Sequence, residues 1–444
     1  MTAVTHGHLR NLGLASLGAV LEYFDFIVYV YVAAAIGHAF FPPQSSAWVS
    51  ALQTFGIYAI GYLVRPVAGV LIAHFSDRVG RKKLFLFTVL LMSVPTFLMG
   101  LLPTYAMVGW LAPAALLLLR ILQGCAVGGE LPGASVFIAE HAPAHRLGLH
   151  SGIFFAVVNC GLLLGAGAAK LAALIATQFP GHPDLQWRLP FMLGGAFGLL
   201  SAYLRRSLDE SPEFAKARKA AGRSDKVPFL EVAVNHKAAC AIALAMVFVM
   251  AMSTNVFFQW LPNHLITQWK LPRDTVFSAN VAGVLAFVIG IPAWGWLSDR
   301  IGWARNLVGG ALVGGACAVW FFHRIEGADA AGALLPAFMV IGVAIGSMHS
   351  AMPGLIASLY PTPVRQTGFT VPYSLGTAFI SGPTPLALTW LVREFGMNAA
   401  LCAYLAACLT MLVIARVLRH TPLHLGRVRS AAMPAEIRPA AGHR

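Results

Sequence analysis

The chain has 444 residues, 58% of them hydrophobic and 11% charged, where a soluble domain carries about a quarter charged residues. That excludes a soluble enzyme domain, because the apolar residues fall into long blocks, many exceeding the ~20 residues that cross a bilayer as a helix. The formal net charge of +14 would point to nucleic acid in a soluble protein, but its distribution here argues for a membrane topology signal instead.

Lipid offers backbone groups no hydrogen-bond partners, so such blocks must be helices or a closed barrel, and they are too long for barrel strands. Spans are predicted at 12–38, 48–75, 84–102, 111–139, 147–175 and 189–204, then at 238–261, 276–297, 307–323, 333–358, 367–391 and 397–418. The sixth and ninth are the shortest. The expected fold is an all-α membrane protein of twelve transmembrane helices in two pseudo-symmetric six-helix bundles. The expected divisions are an N-terminal bundle at 1–204, a basic cytoplasmic linker at 205–237, a C-terminal bundle at 238–420 and a disordered tail at 421–444.

With both termini placed in the cytoplasm, 23 of the 31 Lys and Arg lie in cytoplasmic segments, 5 outside and 3 within helices. That is the positive-inside asymmetry of a bacterial inner-membrane protein, and the basic segments also suit anionic lipid. No cleavable signal peptide is expected, since the first apolar run is long and contains Glu22 and Asp25. The six cysteines are scattered singly, without metal-ligand spacing or a disulfide framework. No cofactor and no metal are implied. No nucleophile motif or phosphate-binding loop appears either, so an enzyme is not expected.

The halves repeat. SDRVGRKK at 76–83 returns as SDRIGWAR at 298–305, placing Asp77 and Asp299 222 residues apart, and Arg146 and Arg365 lie 219 apart in a second pair of loops. Two landmarks at nearly one offset mark an internal duplication, and parallel six-helix halves imply a substrate site between them near the bilayer midplane.

These residues resemble the major facilitator superfamily. Asp77, Arg78, Gly80, Arg81 and Lys82 match its G-x-x-x-D-R-x-G-R-[RK] loop, with Ala73 where the pattern has glycine. The second copy keeps Gly295, Asp299, Arg300 and Gly302 but has Trp303 in place of a basic residue. The resemblance implies a charge latch that breaks as the halves rock; the alternative is that these arginines only enforce topology. EYFDF (22–26), VRPVAGVL (64–71), RILQGCAVGGE (120–130), LRRSLDESPEF (204–214) and FISGPTP (379–385) are similar to the metabolite–proton symporters. That family imports citrate, oxoglutarate, shikimate, and zwitterions such as proline and betaine; helices 10 to 12 look most similar to the citrate members.

A charged side chain at the membrane centre costs at least ~2.5–3.5 kcal/mol, so each needs a partner or a cavity. Asp25, at ~1.5 Å rise per residue, lies about 20 Å from either end of helix 1 and within reach of Arg120 on helix 4. Arg120, Gly124 and Gly128 fit R-x-x-x-G-x-x-x-G, whose glycines admit a close neighbour. The resemblance to sugar–proton symporters implies Asp25 as proton acceptor and Arg120 as the group coupling it to substrate; a permanent structural ion pair is the other reading. Glu22, Arg65 and Glu130 form a second expected cluster, either a proton store or static helix glue. Lys170, near the outer end of helix 5, either snorkels or offers another cation. Neutral candidates for binding are Tyr29, Gln53, Asn159, Asn255, Gln259, His349, Tyr373 and Ser374, each either cavity-facing or bonded to a neighbouring helix.

The favoured expectation is proton-coupled uptake of a small organic anion, such as citrate or another di- or tricarboxylate. Uptake of a zwitterionic osmolyte of the proline or betaine type, or efflux, stand as alternatives. Osmosensing relatives often carry a C-terminal coiled coil, and the tail here shows no sustained heptads.

Overall fold

The computed structural model describes residues 20, 23–66, 68, 81–126, 130–205, 232, 234–325, 330–361, 364–421 and 423–424. The predicted linker and tail fall almost wholly outside them, as do Glu22, Asp77, Arg78 and Gly80; Arg81 and Glu130 are described in backbone only.

Among the described residues, twelve helical spans follow in chain order. In the first half they are α1 (Tyr23–Tyr31 bent into Ala33–Phe40), α2 (Ala47–Leu63), α3 (Arg81–Met99), α4 (Leu111–Glu140), α5 (Leu147–Gln178) and α6 (Leu185–Arg205). The second half has α7 (Lys237–Thr267), α8 (Arg273–Ile301), α9 (Trp303–Ile325), α10 (Gly332–Ser358), α11 (Arg365–Phe395) and α12 (Asn398–Leu418). Among the described residues eight are long and apolar enough to cross a membrane, or nine counting the bent pair of α1. The sixth and ninth spans, the shortest in the sequence expectation, run to 21 and 23 residues as α6 and α9.

The halves meet along α5 against α8, α2 against α11, α1 against α7, and the end of α4 against α10 and α11. Glycine sets the tightest of these approaches. A Cβ on Gly148 of α5 would stand 2.6 Å from the Gly295 carbonyl of α8, so backbone meets backbone there.

Three helices depart from regular geometry. The 64° bend of α1 falls at Val32. Its cause is Asn263 of α7, whose Nδ2 donates to the Val30 carbonyl while its Oδ1 accepts from the Ala34 N–H at 3.2 Å. In an unbroken helix the Ala34 N–H would bond the Val30 carbonyl, so the amide of one half is inserted into the hydrogen-bond ladder of the other. In α7, Asn255–Trp260 is a π segment, and in α11 so is Thr377–Ser381, just ahead of Gly382-Pro383. The two wide turns are tied by Asn255 Nδ2, which donates to the Ser381 carbonyl at 2.9 Å. Wide turns of this kind are rare and concentrate at functional sites.

Candidate functional site

At the end of the bundle that carries the SDRIGWAR loop, Asp299 and Arg365 of the second half bond across to the first. The N-cap of α5, Arg146, makes no side-chain cap bond. Asp299 from α8 supplies it instead: Oδ1 accepts from the Gly148 N–H at 2.7 Å and Oδ2 from the Leu149 N–H at 2.8 Å. A carboxylate on a helix N-terminus is favoured by both hydrogen bonding and the helix dipole. Arg365 of α11, 3% exposed, pairs with Glu140 of α4 at 2.5 Å and also donates from Nε to its own-half Tyr360 carbonyl at 3.2 Å. Arg300 stays on its own helix, its guanidinium 3.7 Å from the Trp296 ring centroid.

The opposite end is also bridged. Besides Asn263, Lys170 Nζ of α5 donates to Ser278 Oγ of α8 at 2.8 Å and lies 3.9 Å from Asp274. Lys170 therefore serves the interface between halves rather than the centre of the bundle. Beside these contacts a vestibule of about 310 Å³ opens, lined by His38, Ser50, Trp260, Asn263, Lys270 and Arg273 among others.

Between the two ends lie the buried charges. Gly124 of α4 packs on the Gly61 carbonyl of α2 with no room for a Cβ, which presses Arg120, one turn away, against the rings of α1 and α2. Arg120 is fully buried, its guanidinium carbon 4.3 Å from the Tyr29 ring centroid, 4.9 Å from Phe26 and 5.2 Å from Tyr58. Arg65 repeats the arrangement, 3.8 Å from both Phe26 and Tyr62. Ring faces attract cations, by about 2 kcal/mol or more where water is excluded. They supply no hydrogen bonds, however, and Arg65 Nε and Arg120 Nε and Nη2 are buried without an acceptor. Unmade bonds on buried charged groups are costly, so these donors can serve a group that brings acceptors with it.

Asp25 and Arg120 are linked through intermediaries rather than by direct contact. Arg120 Nη1 donates to Gln123 Oε1 at 2.5 Å, and Gln123 Nε2 donates to Thr96 Oγ1 at 2.8 Å. The Thr96 hydroxyl has two acceptors for one proton, the Met92 carbonyl at 2.8 Å and Asp25 Oδ2 at 3.4 Å. Asp25 itself is buried against α6, where a Cβ on Gly194 would reach Oδ1 at 2.8 Å. The second expected cluster cannot be assembled here, since Glu22 and the Glu130 side chain lie outside the described residues.

The neutral candidates divide. Tyr29 donates from its hydroxyl to the Thr54 carbonyl at 3.1 Å and stacks on Tyr58. Gln259 accepts from the Tyr58 hydroxyl at 3.2 Å, which joins the halves at mid-depth. Asn255 ties the π segments, and Asn159 bonds its own helix at Phe155. Gln53 Oε1 is buried without a partner and lines neither cavity. His349 and Tyr373 line a cavity of about 60 Å³ between the halves, with Tyr23, Phe26, Tyr62 and Arg65. His349 is held there between Phe155 and Phe287, with Nδ1 3.3 Å from the Ile345 carbonyl. Ser374 lends only its carbonyl, to the Thr377 hydroxyl at 3.1 Å.

Sequence reasoning missed Phe26, Tyr58, Tyr62, Thr96, Gln123, Glu140 and Asn263. The i, i+4 pair Tyr58 and Tyr62, and Gln123 three residues after Arg120, share helix faces with flagged positions, so a signal existed for those three.

Two membrane-length bundles, bridged at both ends and carrying buried cations where they meet, make the architecture of an alternating-access transporter. Residues 15–380 match the Major Facilitator Superfamily, and the chain belongs to that superfamily, as a multi-pass membrane transporter. It is 30% identical over 406 residues to the proline/betaine transporter of Salmonella typhimurium, spanning 89% of this chain and 80% of that one. It is 32% identical over 424 residues to the glycine betaine/proline/ectoine/pipecolic acid transporter OusA of Dickeya dadantii, spanning 91% and 81%. Among solved structures it is similar to the xylose transporter XylE from E. coli, with a TM-score of 0.67 and 16% identity over 93% of this chain and 97% of that chain. At that identity the likeness is one of fold. The citrate-like reading of helices 10 to 12 finds no support in these relatives, whose named substrates are zwitterions.

Proposed function

We propose that the protein imports a zwitterion of the proline or betaine type together with protons across the bacterial inner membrane, with both termini and the Asp299 end cytoplasmic. The observation that carries this reading is the pairing of orphaned guanidinium donors with aromatic faces at one place. Arg65 and Arg120 offer a carboxylate its hydrogen bonds, and Phe26, Tyr29, Tyr58 and Tyr62 offer a cation its π surface. Proline/betaine transporters at about 30% identity support it. A tricarboxylate needs more buried cations than this, and Lys170, the other candidate, is engaged by Ser278 and Asp274. The expectation of an organic anion gives way here to a zwitterion, whose positive head the ring faces can take.

In this reading a substrate carboxylate competes with Gln123 for Arg120. Gln123 then loosens its hold on Thr96, and a protonated Asp25 can donate to Thr96 Oγ1. The bundles, 1–204 and 238–420, rock about this centre, breaking the Asp299 and Glu140 bonds at one end and the Asn263 and Lys170 bonds at the other. Proteoliposomes holding the purified chain test the proposal: labelled glycine betaine or proline accumulates when the inside is made alkaline, and uncoupler abolishes it. Accumulation of citrate with neither zwitterion taken up rejects it.

A further inference from the structure

Phe26 and Tyr62 face each other edge to face with centroids 5.0 Å apart, and the guanidinium of Arg65 sits 3.8 Å from each. All three line the inner cavity. Arg65 is 8% exposed, and its Nε has no hydrogen-bond acceptor. A cation is therefore held by ring faces at the edge of a space between the halves, with part of its bonding capacity unused.

We propose that this ring pair is an onium subsite occupied, between transport cycles, by the protein's own Arg65. Substrate loads by exchange, its carboxylate drawing the guanidinium out and its onium head taking the ring faces. This rests on the zwitterion reading above. Three physical points carry it. A quaternary ammonium has no N–H, so hydroxyls and carbonyls cannot satisfy it and aromatic faces can. Two cations cannot share one ring pair, because like charges at contact in a water-poor site repel strongly. The guanidinium fork also matches a carboxylate bidentately, and in a betaine the carboxylate lies one methylene from the onium, so the group that displaces Arg65 brings its new partner with it. The cavity of about 60 Å³ is small for the substrate while Arg65 fills its edge, as an exchange requires. Arg120 is held by a hydrogen bond to Gln123 as well as by rings.

The test compares glycine betaine with 3,3-dimethylbutyrate, which has the same shape and carboxylate but carbon in place of the charged nitrogen. Both must displace Arg65, so the ratio of their inhibition constants against labelled betaine uptake in proteoliposomes isolates the onium–ring contact. The wild type is expected to prefer betaine by roughly 10- to 30-fold. Ring-fluorinated phenylalanines at position 26, which drain the π face without changing its size, should lower that preference stepwise. Tyr62→Phe should keep it and Tyr62→Leu should lose it. Arg65→Gln should weaken both ligands together and leave the ratio standing. Equal inhibition by the two ligands in the wild type, or a ratio indifferent to fluorination, overturns the subsite while leaving betaine transport intact. Absence of any betaine uptake in the wild type instead removes the functional reading beneath it.

Discussion

Replacing Asp299 by asparagine is expected to open the Asp299 end of the transporter. The carboxylate makes two charge-assisted bonds, at 2.7 and 2.8 Å, to the first turn of α5, whose own N-cap makes none. Such bonds contribute about 1.5–3 kcal/mol each, and the dipole term adds up to ~2 kcal/mol in a partly buried setting. Asparagine keeps one carbonyl oxygen for one N–H and turns an NH₂ toward the other, so the net loss is about 2–3 kcal/mol. The closed state at this end then falls relative to the open one by roughly 30- to 150-fold, at about 1.4 kcal/mol per decade. Spin labels at the exposed positions His145 and Arg305, on opposite halves near this end, report the change as a longer distance population. An unchanged distance distribution in Asp299→Asn refutes the latch.

Four further outcomes follow from the same geometry. Asp25→Asn is expected to abolish uphill accumulation while retaining substrate counterflow; normal gradient-driven accumulation removes Asp25 from coupling. Arg120→Lys is expected to cut uptake by about tenfold or more with normal membrane insertion, because an ammonium cannot offer a carboxylate the two parallel N–H donors of the guanidinium fork; wild-type uptake reduces Arg120 to a point charge. Glu140→Gln leaves the buried Arg365 without its charge partner, and a double-mutant cycle with Arg365→Gln is expected to return about 1.5–3 kcal/mol of coupling in thermal unfolding; additivity denies the pair a role. Asn263→Leu removes the amide from the α1 ladder, and labels placed across the end opposite Asp299 should then show that end opening more often; an unchanged distribution there dismisses the insertion as a fixed bend.

Helices were legible because lipid forces every backbone group to bond within its own segment, so long apolar runs admit one solution. The burial of Asp25, Arg65 and Arg120 was legible for a related reason, as charges are too costly in a membrane to lie there without a partner or a cavity. Phe26 was not, since an aromatic residue in an apolar helix costs nothing and announces nothing; Tyr58 and Tyr62 carried only their i, i+4 spacing, and the cations stacked upon all three reveal their part. Asn263 was missed because its insertion between Val30 and Ala34 depends on how the halves dock, which periodicity does not encode. Lys170 was open between two readings because its partners Ser278 and Asp274 stand more than a hundred residues away. The expectation of an anion treats each buried cation as awaiting one. The rings that neighbour both arginines change that by offering a place for a positive head as well.

The central claim is that a net-neutral zwitterion enters together with protons, so that transport moves positive charge inward. Current recorded from proteoliposomes on a solid-supported membrane tests this directly. Addition of glycine betaine or proline at neutral pH is predicted to give an inward positive current that Asp25→Asn removes. Silence with both zwitterions, alongside a current evoked by citrate, contradicts the account.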